Sequence, residues 1–129
     1  MKGVLENFDI QGKKITAFFG MYAIKLLTEK RNITMNDLGE LFNGVDDDAI
    51  KAFDLMVDLL YCGIQNHNLV NGITESVNYH LLYNDFGSVD QAKYKDIFDA
   101  FLETQINGKA LNSSVEKDEP EAKPLSKKK

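Results

Sequence analysis

Residues 50–64, IKAFDLMVDLLYCGI, are the stretch of sequence that decides the fold. Large apolar residues fall on most sides of the helix that their spacing predicts. The polar residues Lys51, Asp54 and Asp58 are confined to one narrow stripe of that helix. A helix that is apolar over most of its circumference is surrounded by other elements, so we predict a central, buried helix. Gly63, in its last turn, would weaken the helix locally or let another backbone approach closely.

Four further helices are predicted on either side of this central one. They run from about Phe19 to Asn32, from Thr34 to Asn43, from Glu75 to Asn84, and from Ser88 to Asn107. Thr34 and Ser88 are each followed three residues later by Asp37 and Gln91, in the manner of a capping box. The residues after Asn68 are predicted as a loop that runs through Asn71 and Gly72. The sequence therefore predicts an all-α fold, a compact bundle of about five helices.

The two ends of the chain differ from this helical part. Residues 8–10 and 15–18 alternate in polarity around Gly12, so they could pair as a short N-terminal β-hairpin lying on the helices. Residues 109–129 contain both prolines, no aromatic residue and six lysines, which is typical of a disordered tail. We thus predict a helical domain over residues 1–108 and a disordered, charged tail over 109–129.

The distribution of charge excludes several classes of function. Residues 1–108 carry sixteen Asp or Glu against nine Lys or Arg, and the whole chain has a formal net charge of −5. Such a chain would repel phosphates, so we predict that it does not bind nucleic acid. The longest apolar stretch, residues 17–27, is too short to span a bilayer, and Glu6 lies where a signal peptide has its apolar core. We therefore expect a cytoplasmic protein that does not contact a membrane.

Candidate catalytic and metal-binding groups are few. Asp46, Asp47 and Asp48 lack the ligand spacing of a calcium loop, and capping of the central helix explains them better. Cys62, His67 and His80 are too few and too scattered for a zinc site, although a nucleophile–base pair among them stays a remote alternative. No glycine-rich phosphate loop is present. We therefore predict no catalytic residue, no metal and no cofactor, and hence no enzyme.

The last predicted helix carries the best candidate for a binding surface. One of its faces is rich in aromatic residues and leads directly into the charged tail. This face consists of Tyr94, Ile97, Phe98, Phe101 and Leu102. It is either part of the core or a contact surface for an apolar helix of a partner protein. In a domain this small, both interpretations can hold together.

Two stretches and the overall layout resemble tail assembly chaperones of long-tailed bacteriophages. Residues 18–29, FFGMYAIKLLTE, resemble the opening helix of that family, in which an apolar run with a glycine leads into an alanine, two leucines and a glutamate. Residues 59–68, LLYCGIQNHN, are similar to the end of its central helix. Acidic residues before the central helix, an amphipathic last helix and a charged tail complete the likeness, which covers about residues 8–106. Cys62 departs from the alanine more usual there.

The resemblance implies a non-catalytic protein of the infected host cytoplasm that is absent from the mature virion. Such chaperones bind the tape measure protein, a long apolar helical chain, keep it soluble and help to recruit tail tube subunits. Weak self-association is implied as well. A different interpretation stays open, namely a helical adaptor or regulatory protein, phage-encoded or not, that binds a host protein.

Overall fold

The computed structural model describes residues 3–43, 47–106 and 108–110. For Lys109 and Ala110 only the backbone is described. Within these residues the fold is mostly helical, as predicted, with two small antiparallel sheets. The main elements are β1 (Val4–Ile10), β2 (Lys13–Phe18), α1 (Met21–Arg31), a 3₁₀ helix (Met35–Phe42), α2 (Ala49–Val70), α3 (Tyr79–Asp85), α4 (Tyr94–Leu102), β3 (Gln105–Ile106) and β4 (Lys109–Ala110). Short 3₁₀ turns at Phe86–Ser88 and Gln91–Lys93 join α3 to α4.

Helix α2 is the central element, which confirms the sequence prediction. The six residues from Leu55 to Leu60 are all buried, and β2, α1, α3 and α4 all pack against this helix. Asp48 caps it, because one carboxylate oxygen accepts hydrogen bonds from the backbone N–H groups of Ile50 (3.0 Å) and Lys51 (3.3 Å). This cap supports the capping interpretation for Asp48, whereas Asp46 lies outside the described residues.

Two details of the prediction for this helix are wrong. The helix continues to Val70, so Leu69 and Val70 are helical rather than part of the loop. Asn66 is buried, and its side-chain amide donates a hydrogen bond of 3.0 Å to the backbone oxygen of Phe18, which explains a polar residue at an inward position. Ile50, expected among the apolar core residues, is 64% exposed, because it lies in the first turn, before the buried part of the helix begins.

The N-terminal hairpin forms and is longer than predicted, so the fold is not purely α-helical. β1 and β2 pair in antiparallel fashion around Gln11 and Gly12, which both have positive φ (51° and 84°), as a tight type I′ hairpin turn requires. A bulge between Leu5 and Phe8 interrupts the pairing, and Asn7 there has a φ of 58°. The hairpin reaches this length because its inner face is covered by α2 and α4.

Hydrogen bonds tie the base of the hairpin to the end of α4. The backbone N–H of Phe19 donates to the carbonyl of Gly3 (2.6 Å), and the hydroxyl of Thr104 donates to the carbonyl of Phe19 (2.5 Å). Thr104 is buried, so this bond satisfies a carbonyl that water cannot reach. The backbone N–H of Gly3 in turn donates to the carboxylate of Glu103 (3.1 Å). The first and last described parts of the chain are thus joined.

The remaining helices form close to the predicted positions, with different boundaries. Thr34 and Asp37 form the predicted capping box, but the helix that follows is 3₁₀ rather than α. Asn78 caps α3 by accepting from the N–H of Leu81, so that helix begins at Tyr79 rather than Glu75. Helix α1 agrees with the prediction and ends at Asn32, which has a left-handed conformation.

The last helix begins six residues later than predicted. Ser88 is in a 3₁₀ turn and its hydroxyl donates to the carbonyl of Asp85, so it does not cap α4. Asp90 caps the following turn instead, since its carboxylate accepts from the N–H of Ala92 (2.9 Å). Aspartate is as favourable as serine at the N-cap of a helix, so Asp90 can replace Ser88 in this role.

The predicted boundary between domain and tail lies within a small β-ribbon. The backbone of Lys109–Ala110, the first two residues of the predicted tail, pairs with Gln105–Ile106. Residues 111–129 of that tail lie outside the described residues. Among the helices that are described, none has the length and apolar character needed to cross a lipid bilayer.

Candidate protein-binding surfaces

The five residues predicted as a contact surface on the last helix divide into two groups. Ile97 and Phe101 are buried in the core, where the ring of Phe101 packs edge-on against that of Phe19. Tyr94, Phe98 and Leu102 are half-buried. The first group therefore serves packing, and only the second group is accessible to another molecule.

Tyr94 and Phe98 lie in the wall of an open trough between α2 and α4, which encloses about 760 Å³. The floor of the trough comes from α2 and is made largely of apolar side chains. The lining residues from α2 are Ala49, Ala52, Leu55 and Met56. Phe42, at the end of the 3₁₀ helix, closes the far side, with its ring centroid 4.9 Å from that of Phe98 in an edge-on arrangement. Helices commonly dock into apolar troughs of this kind.

The spacing of residues along the two helices creates the trough. Ala49, Ala52 and Met56 follow one another at intervals of three and four residues, so they share one face of α2. Tyr94 and Phe98 are four residues apart on α4 and therefore also share a face. Small side chains on one helix opposite large rings on the other leave the open space. The ring of Tyr94 is held in place by stacking on the buried Phe86, 5.4 Å away.

Two of the described residues that line the trough are charged. Asp47 and Lys95 contribute to its lining, and both are exposed. The ammonium group of Lys95 lies 2.5 Å from the carboxylate of Asp99, and that hydrogen bond raises the pKa of Lys95 above its ordinary value. Because this lysine already pairs with Asp99, Asp47 is the more prominent charge at the margin. The floor itself carries no charged group.

A second accessible apolar region lies at one end of the α1–α2 pair. These helices are antiparallel: Arg31, the last residue of α1, pairs with Asp58, whereas Gly20, just before α1, lies against Asn66. Large apolar side chains are exposed at the Gly20 end. They are Met21 (50% exposed), Tyr22 (46%), Leu69 (58%), Val70 (64%) and Ile73 (40%). We name this set the apolar end.

A cluster of polar groups connects α1, α2 and α3 at the opposite side of α2 from the hairpin. Asp58, which the sequence places on the narrow polar stripe of the helix, is buried, and its carboxylate lies 2.9 Å from Nε of Arg31. It also accepts a hydrogen bond of 2.6 Å from the hydroxyl of Tyr79. Burial and this hydrogen bond together raise the pKa of Tyr79 above its ordinary value. The ammonium group of Lys30 lies 3.7 Å from the centre of the Tyr79 ring, a cation–π contact.

The geometry gives this cluster a structural role rather than a reactive one. The second carboxylate on that stripe, Asp54, accepts a hydrogen bond of 2.6 Å from the hydroxyl of Tyr83. The two carboxylates are four residues apart on α2, and the two tyrosines are four residues apart on α3. The two hydrogen-bonded pairs therefore connect α2 and α3 at two successive turns. A polar cleft of about 450 Å³ beside Asp54, lined also by Arg31 and Lys51, carries charges of both signs.

The three candidates for metal or nucleophile chemistry are in different surroundings. Cys62 is fully buried within α2, and burial raises the pKa of its thiol to about 12, so it is neither accessible nor ionised at neutral pH. Nδ1 of His67 lies 3.2 Å from the side-chain amide of Asn71, and His80 is exposed on α3. Within residues 3–43, 47–106 and 108–110, no three His, Cys, Asp or Glu side chains come together as metal ligands would.

Of the residues that line the trough, the sequence singled out only Tyr94 and Phe98 as candidates for a binding surface. Ala49 and Ala52 attract no attention in a sequence, and Phe42 was assigned to the apolar face of its own helix. The available signal for the α2 side of the trough is the pair of alanines, three residues apart, at the start of a helix whose other apolar residues are mostly large. Their significance depends on which helix packs opposite, and a sequence does not give that.

The chain matches no protein-family model, and no curated protein and no solved structure is significantly similar to it.

Proposed function

We propose that this protein is a tail assembly chaperone of a long-tailed bacteriophage or prophage, acting without catalysis in the cytoplasm of the infected host. In this role it binds the tape measure protein, keeps that long apolar chain soluble and helps tail tube subunits to assemble around it. The proposal rests on the resemblance of residues 18–29 and 59–68, together with one structural observation. That observation is the open apolar trough between α2 and α4.

The trough supports the proposal because it suits a helical segment of a partner. An amphipathic helix inserts side chains spaced three and four residues apart, and the floor residues Ala49, Ala52 and Met56 repeat at the same spacing. The two alanines allow the backbone of a docked helix to come close. The half-buried rings of Tyr94 and Phe98 provide the large aromatic contacts that concentrate binding energy at protein interfaces.

A long helical protein with exposed apolar faces aggregates unless those faces are covered. A chaperone that covers them must itself remain soluble, and a body with sixteen acidic against nine basic residues over positions 1–108 meets that requirement. The combination of an apolar trough and an acidic exterior is therefore what this function needs.

Co-expression tests the proposal. The protein is produced together with the product of the long gene directly downstream, and the soluble fraction and co-purification of that product are measured. We expect the partner to be insoluble alone, and soluble and bound in the presence of the protein. A partner that is equally soluble alone, or that does not co-purify, would contradict the chaperone function and favour the host-directed adaptor.

Two matched variants ask whether the trough makes the contact. Ala52→Lys places a long charged side chain across the trough floor, whereas Ile50→Lys introduces the same charge two residues away on an exposed side chain that does not line it. We expect Ala52→Lys to reduce co-purification about tenfold, in line with loss of a central contact at an interface. Ile50→Lys is expected to behave as the natural sequence. Circular dichroism confirms that both variants keep their helices.

A further inference from the structure

We propose that α3 and the segment before it form a strap that opens while the rest of the fold stays intact, and that this opening loosens one wall of the trough. The strap consists of residues 74–85. As a way of regulating binding, the inference rests on the proposed role of the trough. The coupling between strap and trough is a property of the chain alone, so it is measured without a partner.

The strap is fixed at both ends and free between them. At its start, the backbone N–H of Ile73 donates to the carbonyl of Asn68 (2.8 Å), which ties the chain to the end of α2. At its end, Phe86 is fully buried. Residues 73–78 have no regular secondary structure, and all of them except Val77 are exposed. An irregular, exposed segment of this kind lets α3 move without displacing either end.

Few contacts hold α3 itself in place. None of its residues is fully buried. Its two tyrosines, both half-buried, donate hydrogen bonds of 2.6 Å to carboxylates of α2. A segment held in this way opens at a lower free energy than a buried core element. A helix of seven residues is not stable alone in water, so α3 loses its helical hydrogen bonds when it leaves α2. Amide exchange in α3 therefore reports its release.

Aromatic rings in successive contact connect the strap to the trough. Tyr83 of α3 packs on Phe53 of α2, with 4.8 Å between the ring centroids. Phe53 packs on Phe86 (5.2 Å), and Phe86 stacks on Tyr94 (5.4 Å) in the wall of the trough. Phe53 and Phe86 thus form a pair of which one ring contacts the strap and the other contacts the trough wall.

Close packing makes the two contacts interdependent. Protein interiors have little free space, and residues that share packing partners are energetically coupled. With the strap closed, Tyr83 holds Phe53 against Phe86, which supports the ring of Tyr94. When the strap opens, Phe53 loses the contact with Tyr83, and the pair can shift away from Tyr94. The trough wall then loses support at a ring that a docked helix would contact.

Coupling of this kind acts in both directions. A molecule that fixes the Tyr94 ring by filling the trough should hold the strap closed, and release of the strap should weaken binding in the trough. The other ring of the α4 wall, Phe98, provides a contrast. Among the rings that the structure describes, its neighbour is Phe42 (4.9 Å) rather than Phe86.

Hydrogen exchange of the full chain at increasing urea concentration tests whether the strap opens by itself. Local opening exposes little surface, so the amides of α3 should exchange at a rate that hardly changes at low urea. The amides of the buried part of α2 should exchange more slowly, with the steep urea dependence of global unfolding. Equal urea dependence in α3 and α2 would overturn the proposal, because the strap would then open only with the whole domain.

Tyr94→Leu and Phe98→Leu are matched variants for the coupling. Both replace a half-buried ring of α4 by a smaller apolar side chain, but Tyr94 stacks on Phe86 whereas Phe98 packs on Phe42. We expect the amides of α3 to exchange about fivefold faster without urea in Tyr94→Leu, in line with the coupling between residues that share a packing partner. In Phe98→Leu their rate should equal that of the natural sequence.

Two results would disprove the coupling. An unchanged α3 rate in Tyr94→Leu would mean that the strap and the trough are independent. Equal acceleration in both variants would mean that the effect does not pass through Phe86. The exchange of α2 in the same samples shows whether each variant keeps its core. A partner that fails to bind in the co-expression experiment leaves these rates unchanged, so failure of the proposed function and failure of the coupling are distinguished.

Discussion

The two sides of α2 are held by opposite kinds of contact. On the hairpin side, a Cβ atom added at Gly63 would lie only 2.8 Å from the Cβ of Ala17 and 2.8 Å from Cε1 of Phe19, so there is no space between the two elements for a side chain at this position. On the other side, no residue of α3 is fully buried. Hydrogen bonds from Tyr79 and Tyr83 to the carboxylates of Asp58 and Asp54 attach it, together with edge-on contacts between the half-buried rings of the same two tyrosines and those of Tyr61 and Phe53.

This difference predicts how a substitution at each contact affects the stability of the fold. Close apolar packing leaves no space for an added atom, and it leaves a cavity when an atom is removed. A hydrogen-bonded contact with few buried apolar groups has a small net contribution to stability, since water can replace the lost partners. The hairpin is therefore an integral part of the core, whereas α3 is the helix most easily released from it.

The largest effect is expected on the hairpin side, for Phe19→Ala. Phe19 is 2% exposed and its ring packs against Phe101. Removing a buried ring should lower the free energy of unfolding by about 4 kcal/mol. Urea denaturation followed by circular dichroism measures this change.

Leu81→Ala is the corresponding truncation on the α3 side. Leu81 is 55% exposed, so we expect a change of about 0.5 kcal/mol or less. If Phe19→Ala and Leu81→Ala lowered the free energy of unfolding by similar amounts, α3 would contribute as much to the core as the hairpin does, and the proposed difference between the two sides of α2 would be wrong.

A smaller effect of unusual sign is expected for Gly63→Ala. In an exposed helix this substitution stabilises by about 1 kcal/mol, because alanine is the better helix former. Here the new Cβ would be too close to Ala17 and Phe19, and overpacking of a core commonly destabilises by about 1–3 kcal/mol. We therefore expect a net loss of about 1 kcal/mol in urea denaturation.

Gly39→Ala is the matched control for this substitution. Gly39 lies in the 3₁₀ helix, and no atom is within 4 Å of the position that its Cβ would occupy. We expect it to be neutral or slightly stabilising. A stabilising effect of Gly63→Ala equal to that of Gly39→Ala would show that the hairpin can move away from α2.

The sequence predicts the hairpin side of α2 better than the α3 side. Apolar periodicity predicted the central helix, and Gly63 was expected either to weaken it or to admit another backbone. Gly63 does admit a close neighbour, but the atoms nearest to its Cβ position belong to the side chains of Ala17 and Phe19 rather than to the backbone. The same periodicity placed Asp58 on a narrow polar stripe, but a sequence does not show that Arg31 and Tyr79 converge on it and that it is buried. The regular spacing of Asp54 and Asp58, matched by Tyr79 and Tyr83, was the available signal.

The candidate trough was predictable only in part for a related reason. The aromatic face of the last helix identified Tyr94 and Phe98, but the same pattern included Ile97 and Phe101, which are buried. Helical periodicity identifies an apolar face and does not say how much of it a neighbouring helix covers. That depends on the side chains opposite, here Ala52 and Leu55, whose packing partner is more than thirty residues away in the chain.

The last expected effect concerns the attachment of α3, which should weaken at alkaline pH. The pKa of Tyr79 is raised above its ordinary value of 10.0, so the hydroxyl stays protonated in the folded protein at a pH where it ionises in the unfolded chain. The stability that this group contributes is therefore complete below pH 10.0 and is lost as the pH rises towards its folded pKa.

Tyr79→Phe tests this dependence. Phenylalanine keeps the ring beside Lys30 but removes the hydroxyl that donates to Asp58, and loss of one such hydrogen bond should lower stability by about 1 kcal/mol at neutral pH. Above pH 10.0 the natural protein should lose stability more steeply than the variant, because only the natural protein has a tyrosine at position 79 to ionise. Urea denaturation at a series of pH values measures both slopes. Parallel slopes would mean that Tyr79 ionises equally readily in the folded and unfolded chains, and that the bond to Asp58 does not hold α3 in place.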